Sequence, residues 1–430
     1  SETLRFSSSP IFKESNKMNI LIFTGAGASV ELGVPAMRQM AEQFKEHIVD
    51  IKLPETVIEK INVLIDDQSK DMEHAIDVID RLEGGYRAQI ELRIKIDEKQ
   101  IEPYKIIRQE AEWFVQHCCE KIKADLAVQL WIPVLRASQD LDLTIATTNY
   151  DRAVEISAAR LKIPLRDGFE EFSGGEVANW CGFEHSNDIR LLKLHGSTNW
   201  YRGNVDQVFK LRHPMPLYGR LKITSDDSPS QPLQSALVLP SREKVVTANP
   251  FPIIAAEFRS YAKNADVAIF IGSSLRDPHM RDVFVSCTKS KPTFIISKTD
   301  DFAEGILPEK ALVIKQSAGQ FLISTLPKFL KEKDINILVT AAENGNKLES
   351  NALFWLASAS DEIVIEKNRC SAIEKIANSN IELPKEEIEA LLRDPSDEVS
   401  MFALGLIPMS TDREELVNLA KDIAKDAKGE

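Results

Sequence analysis

The chain has 430 residues, 43% of them hydrophobic and 28% charged, with a formal net charge of −13. This length normally divides into two or three domains, and the composition is that of a soluble globular protein. The acidic balance argues against direct nucleic-acid binding, which needs a basic face. Because the chain shows neither an apolar run of the roughly 18 residues that span a membrane nor a signal-like beginning, we expect a cytoplasmic protein without membrane contacts.

The first informative pattern is a strand followed by a glycine-rich turn. Asn19–Phe23 is an apolar, β-branched run of strand length, and Gly25 and Gly27 follow it. We predict a sharp turn into a helix whose N-terminal amides, from Ala26–Ser29, face a diphosphate. Val30 stands where the dinucleotide fingerprint G-x-G-x-x-G has its third glycine, so an ordinary dehydrogenase site is not predicted. A tight turn without a ligand is the alternative.

A helical segment of about a hundred residues follows, from about 35 to 140. Within it, Pro103–Ala127 carries apolar residues at the i, i+3, i+4 spacing of an amphipathic helix. We predict a helical insertion in a nucleotide-binding fold, placed over the site. Trp113 and Trp131 are expected to be plain core residues rather than ligand contacts.

Polar residues follow the second predicted strand, Leu143–Ala146. In open α/β sheets ligands bind outside the carboxyl ends of the strands, which favours a ligand-facing role for Asn149 and Asp151. Residues two apart share a face in extended chain, so Tyr150 is expected to pack away from the ligand. Capping of the helix Arg152–Leu161 is the alternative role for Asp151, and both roles are compatible.

Two further strands end in candidate site residues. Ile189–Leu194 is followed by His195 and a glycine, where a group that titrates near neutral pH can act as a general base. The other six histidines are interpreted as structural. Asp266–Ile271 leads into Gly272–Ser274, a hydroxyl-rich turn suited to phosphate or ribose, and Pro292–Ser297 is the next predicted strand.

Together these segments resemble the sirtuin (SIR2) family over roughly residues 20–298. The resemblance implies an α/β fold with a Rossmann-like parallel sheet of the SIR2 type and NAD+ as substrate. It implies that Asn149 and His195 are catalytic. It also implies a set of NAD-binding residues, namely Gly25, Ala26, Gly27, Ser29, Pro35, Arg38, Asp151, Gly272, Ser273 and Ser274.

The sequence departs from the deacylases of that family in two places. Sirtuin deacylases have Pro-Asp-Phe-Arg where this chain has Pro35–Arg38 as Pro-Ala-Met-Arg. They also carry a zinc ribbon with two C-x-x-C pairs, whereas none of the five cysteines here forms such a pair, so no zinc is expected. In deacylases that ribbon forms one wall of the acyl-lysine cleft, and its absence puts peptide substrates in doubt.

The chain is most similar to the zinc-free SIR2-like effectors of bacterial antiphage systems, which hydrolyse NAD. We therefore predict an NAD+ glycohydrolase, the effector subunit of an abortive-infection system. Water replaces the acyl-lysine as nucleophile, with Asn149 positioning it and His195 accepting its proton. An NAD-dependent protein deacylase and a non-catalytic NAD or ADP-ribose sensor are the alternatives.

The predicted domains are a catalytic domain at residues 1–335 and a helical domain at residues 336–430. Residues 200–250 are interpreted as loops around the mouth of the pocket. Ser360–Ile363 and Ser396–Val399 recur before apolar helical stretches, which faintly resembles HEAT repeats, although a packed appendage or assembly surface is the preferred interpretation. Because uncontrolled NAD hydrolysis would kill the cell, we expect a homo-oligomer regulated by a partner such as a translocase-type ATPase.

Overall fold

The computed structural model describes most of the chain. The described residues are 17–51, 53–66, 72–92, 101–138, 140–172, 174–183, 188–203, 207–214, 234–238, 249–298, 311–343, 370, 373–374, 376–377 and 385–426.

The strands form a parallel sheet and a smaller antiparallel one. They are β1 Asn19–Thr24, β2 Asp142–Thr147, β3 Leu165–Arg166, β4 Val177–Asn179, β5 Ile189–Lys193, β6 Trp200–Arg202, β7 Val208–Leu211, β8 Gln234–Ser235, β9 Val267–Ile271, β10 Thr293–Ile296 and β11 Ala311–Ile314. The seven-stranded sheet has the order β11-β10-β9-β1-β2-β5-β3, with parallel pairing throughout. The predicted Rossmann-like parallel sheet is confirmed.

All strands of this sheet except β3 end on one row of paired residues. The row runs Ile314, Ile296, Ile271, Thr24, Thr147 and Lys193. The residues that follow the row are therefore placed side by side, about 4.8 Å apart from strand to strand. The chain crosses from β1 to β2 on one side of β1, whereas β9 lies on its other side. The crevice where such sheets bind ligands thus lies at the ends of β1 and β9.

Helices surround the sheet. They are α1 Met37–Val49, α2 Glu55–Asp66, α3 Met72–Glu91, α4 Glu102–Glu120, α5 Ala124–Ala137, α6 Ala153–Leu161, α7 Phe251–Asn264, α8 Pro278–Ser290, α9 Ala318–Gln320, α10 Leu326–Glu332, α11 Asn336–Glu343, α12 Lys385–Leu392, α13 Asp397–Ala403 and α14 Arg413–Asp426. A π turn at Phe321–Thr325 joins α9 to α10. No helix in the described part of the chain has the length and apolarity that crossing a bilayer requires.

The large helical insertion is present between β1 and β2 as α1 to α5. Helices α1 to α4 share a cluster of buried apolar side chains that includes Phe44, Ile61 and Phe114. Tyr150, from the segment after β2, belongs to the same cluster. Trp131 on α5 is only 3% exposed and packs instead with the sheet, so its predicted core position is confirmed.

The C-terminal helices pack into the same apolar cluster as one face of the main sheet. Ile388 of α12, Val399 of α13 and Leu416 of α14 are fully buried in it. The side chain of Ser396 caps α13 by accepting the Val399 amide at 3.2 Å. The first copy of the suggested HEAT-like repeat, 360–363, lies outside the described residues. The predicted domain boundary after residue 335 stays a prediction.

The interpretation of residues 200–250 as loops is wrong where β6, β7 and β8 lie. β6, β7 and β8 pair with β4 in an antiparallel sheet of order β4-β7-β6-β8. These strands are two to four residues long. Alternation of apolar and polar residues cannot be recognised over so few positions, which explains the error.

Candidate active site

Two glycine turns pack directly on each other where β1 and β9 end. The amide of Gly25 donates to the Ile271 carbonyl at 2.9 Å, and the amide of Gly27 donates to the Gly272 carbonyl at 2.8 Å. A Cβ on Gly25 or Gly27 would lie 2.8 Å from backbone atoms of Gly272. Gly272 has a φ of +62°, and a Cβ there would lie 2.4 Å from the amide nitrogen of Ala28. Packing of the two turns therefore requires glycine at these positions.

The predicted helix directly after the first glycine turn is wrong. Ala26–Ala28 and Val30–Leu32 are short 3₁₀ turns, and α1 begins only at Met37. The amides of Ala28 and Ser29 donate to carbonyls of the same turn at 2.9 and 3.0 Å. Because the turn bends back onto the second glycine turn, most of the amides predicted to face a diphosphate are bonded within the protein. The two 3₁₀ turns, of three residues each, are also too short to place the dipole of a long helix at this point.

Ser29 joins the two polar residues that follow β2. Its hydroxyl accepts a hydrogen bond from Asn149 Nδ2 at 2.8 Å and donates to Asp151 Oδ2 at 2.5 Å. Ser29 is 3% exposed and Asp151 is 6% exposed, so the hydrogen bonds are shielded from water. This network fixes the loop after β1 against the loop after β2.

The network also determines how the Asn149 side chain is oriented. Nδ2 donates to the carbonyl of Gly25 at 2.9 Å, and a carbonyl can only accept. The side-chain nitrogen therefore faces the glycine turn. Among the described residues, no hydrogen bond reaches Asn149 Oδ1, which remains an acceptor for a hydroxyl or a water.

Asp151 also bonds the start of α6, as predicted, although the N-cap residue itself is Arg152. Its Oδ1 accepts the amide of Ala153, the first residue of α6, at 3.0 Å. Its two carboxylate oxygens are thus used by Ser29 and by the helix. This arrangement makes Asp151 the residue that holds the Asn149 segment in place.

A buried ion pair lies behind Asp151. Lys193, the last residue of β5, is 2% exposed and donates to the backbone carbonyl of Asp151. Its Nζ lies 3.6 Å from Glu155 Oε1 on α6. Burial raises the pKa of the Glu155 carboxyl, an effect that the Lys193 ammonium opposes. Burial also raises the pKa of the nearby Cys119 thiol well above its ordinary value, which keeps this cysteine unreactive.

His195 and Asn149 occupy equivalent places on neighbouring strands. Each stands two residues beyond a member of the register pair Thr147 and Lys193. His195 is 9% exposed. Since adjacent strands lie about 4.8 Å apart, both residues belong to the same stretch of the sheet edge.

Tyr150 connects the two segments, and its side chain is buried in the apolar cluster of α1 to α4. Its ring centroid lies 6.3 Å from that of His195. The Tyr150 hydroxyl donates to the carbonyl of Val238 at 2.8 Å. The Val238 amide in turn donates to the His195 carbonyl at 2.9 Å. His195 is therefore linked through Val238 to Tyr150, the residue that lies between Asn149 and Asp151 in the sequence.

His195 also faces a carboxylate that was not predicted, that of Asp277. His195 Nε2 lies 3.6 Å from Asp277 Oδ2, an ion-pair distance rather than a direct hydrogen bond. Asp277 is the N-cap of α8, where Oδ1 accepts the amides of His279 at 2.9 Å and Met280 at 3.4 Å. One oxygen caps the helix and the other faces the imidazole.

The remaining predicted site residues are less closely tied to this arrangement. Ser273 is half-buried and Ser274 is exposed in the turn after β9. Pro35 is half-buried before α1, and Arg38 is exposed in its first turn. In the described structure no hydrogen bond or ion pair joins Arg38 to Asn149 or His195.

Local sequence signals existed for the residues that were missed. Lys193 lies in a strand whose five residues are all buried, and a buried lysine requires a partner. Asp277 precedes Pro278, which is the usual pattern of an N-cap and the first helical residue. Across the described ranges, no cluster of three or more histidine, cysteine, aspartate or glutamate residues could hold a metal ion.

Residues 143–319 match the model of the SIR2-like domain family. That match covers β2, β5, β9, β10 and the segments that carry Asn149, His195 and Gly272.

Solved structures of Sir2 homologues are also similar to the chain. A mutant Sir2 homologue in complex with 2′-O-acetyl ADP ribose is 14% identical, with a TM-score of 0.40 over 73% of this chain and 92% of that chain. A Sir2 homolog–NAD complex is 15% identical, with a TM-score of 0.39 over 74% and 91%. A second mutant, in complex with ADP ribose, is 16% identical, with a TM-score of 0.38 over 74% and 94%. No curated protein matches the sequence.

Proposed function

We propose that the chain is an NAD+ glycohydrolase that cleaves the bond between nicotinamide and ribose. One observation carries the proposal: Asn149 and His195 stand two residues beyond the paired residues Thr147 and Lys193. A group that accepts a hydrogen bond from water and a group that accepts a proton are thus neighbours at one sheet edge. This edge adjoins the crevice where β1 and β9 end.

The reaction requires little covalent chemistry from the protein. The C–N bond breaks with its electron pair going to the pyridinium nitrogen, so nicotinamide leaves as a neutral base. Water forms the new C–O bond, and its proton passes to His195 and then to solvent. Asn149 Oδ1, whose orientation is set by the bonds of Nδ2 to Gly25 and Ser29, accepts a hydrogen bond from the attacking water. The products are ADP-ribose and nicotinamide.

We assign the rest of the dinucleotide to the two glycine turns. Ala26 and Gly27 are exposed on the first turn, and Ser274 is exposed on the second. These groups can contact the diphosphate and the adenosine half, although the amides bonded within the first turn limit its contribution. Pro35 and Arg38 are assigned to the nicotinamide end.

Chromatography of NAD incubated with the purified chain tests the proposal. We expect equimolar nicotinamide and ADP-ribose from the wild type. His195→Ala is expected to lower kcat at least about 100-fold, because general bases contribute factors of this size. His279→Ala, which changes an exposed histidine on α8, is the matched control and should retain wild-type kcat. Equal rates for the wild type and His195→Ala would refute the assignment.

Further arms of the same experiment separate the alternatives. Nicotinamide release that requires an acetylated peptide would identify a deacylase. Tight NAD binding without any product would identify a sensor. NADP in place of NAD measures the preference between the two coenzymes, which the sequence leaves open.

We further propose that the enzyme acts as an antiphage effector. Unrestrained NAD hydrolysis would stop cell metabolism, so such an activity needs control, and the helical regions outside the SIR2-like domain are available for it. We expect a homo-oligomer, controlled by a partner such as a translocase-type ATPase. Light scattering of the purified chain tests the oligomer. Phage infection of bacteria that carry the wild type or His195→Ala, with cellular NAD as readout, tests the biological role.

A further inference from the structure

We propose that Asp277 is a positioning residue for His195 and stabilises the imidazolium that forms when His195 takes a proton. This inference rests on the proposed hydrolase function. It is carried by the separation of 3.6 Å between His195 Nε2 and Asp277 Oδ2. Catalytic contacts are commonly this long before substrate binds.

The path of the chain brings Asp277 to His195 from a distant strand. Asp277 follows β9, whereas His195 follows β5, and β1 and β2 lie between those strands. The two strand ends are therefore about 14 Å apart. The segment after β9 must cross the ends of β1 and β2 to bring the carboxylate to the imidazole. This crossing passes along the same edge as Asn149.

The crossing segment contains one residue with a strained backbone, Leu275. Leu275 has a φ of +54°, a conformation that costs a leucine about 1–2 kcal/mol. Its side chain is 1% exposed and packs with Phe270 and Phe284 in one apolar cluster. Strained backbone of this kind persists only where the surrounding packing requires it.

The start of α8 fixes the carboxylate itself. Asp277 Oδ1 accepts two backbone amides, those of His279 and Met280. The positive end of the helix dipole also favours a negative charge at this position. Oδ2 is thereby left facing His195 from a rigid element, which is the arrangement that a positioning residue requires.

Two substitutions separate the charge from the cap. Asparagine and serine are N-caps as good as aspartate, so Asp277→Asn and Asp277→Ser keep α8 intact and remove the charge. Asp282→Asn removes the same charge from an exposed position on the same helix and is the matched control. We expect both Asp277 variants to lower kcat at least about tenfold with KM changed less than about twofold. The melting temperatures of all three variants should stay near that of the wild type.

The inference is overturned if Asp277→Asn and Asp277→Ser retain the kcat of Asp282→Asn. A second readout makes the test independent of the proposed function. The ¹⁵N resonances of the His195 ring, assigned by their absence in His195→Gln, should change in Asp277→Asn and stay unchanged in Asp282→Asn. A wild type that releases no nicotinamide would refute the hydrolase, whereas unchanged His195 resonances in Asp277→Asn would refute the pairing.

Discussion

Replacement of Gly272 by alanine tests whether the two glycine turns pack as tightly as the structure describes. A left-handed backbone costs alanine about 1–2 kcal/mol, and the φ of Gly272 is +62°. The new Cβ would also lie 2.4 Å from the Ala28 nitrogen and 2.6 Å from the Gly27 carbonyl carbon, both rigid backbone atoms. Overpacking of this kind adds about 1–3 kcal/mol. We therefore expect Gly272→Ala to lower the free energy of unfolding by about 2–5 kcal/mol.

Gly33→Ala is the matched control for this prediction. Gly33 has a φ of +92°, but a Cβ there would meet no atom within 4 Å. Gly33→Ala should therefore lower the free energy of unfolding only by the cost of the left-handed backbone, about 1 kcal/mol. Urea unfolding of both variants gives the two losses from their midpoints and slopes. If Gly272→Ala is as stable as Gly33→Ala, the close approach of the two turns is refuted.

Three further predictions concern buried polar groups, and each is tested by urea unfolding. Lys193→Met leaves the Glu155 carboxylate without its buried cation and should cost about 3 kcal/mol, part of which a second change, Glu155→Gln, should restore. Ser29→Ala removes one hydrogen bond from an amide and one to a carboxylate, so it should cost about 2 kcal/mol and also slow nicotinamide release. Burial raises the pKa of Glu120 to about 6, so its contribution to stability is complete below about pH 4.5 and is lost as the pH rises to about 6. When the pH is lowered from 7 to 5, the free energy of unfolding of the wild type should therefore rise by up to about 1 kcal/mol relative to that of Glu120→Gln. The control variant Glu102→Gln should show the same rise as the wild type.

The central strands could be predicted from the sequence because each is covered on both faces. Such strands are continuous apolar runs, which a sequence displays directly. The predicted strand Asn19–Phe23 is observed as Asn19–Thr24, and Leu143–Ala146 is observed as Asp142–Thr147. The edge strand β3 and the small antiparallel sheet were missed, because strands of two to four residues carry no readable period.

The candidate site could be located from the sequence, but its internal bonding could not. Asn149 and His195 were found because each follows a strand, and the position of a residue along its own strand is a local property. The contacts of Ser29 with Asp151 and of His195 with Asp277 join residues from different parts of the chain. The same limitation explains the wrong helix after β1. The sequence reveals the glycines there but does not reveal that a second turn takes up the Gly27 amide.

Tyr150 gives the helical insertion a direct connection to the candidate site. Its ring is 7% exposed and lies in the apolar cluster of the insertion, with Phe44 and Phe114. Its neighbours in sequence are Asn149 and Asp151, and its hydroxyl bonds the same residue, Val238, that holds the His195 backbone. Close-packed cores respond to a change in shape by moving as units rather than by absorbing it. Tyr150 is therefore the residue through which the packing of α1 to α4 reaches the segments that carry Asn149 and His195.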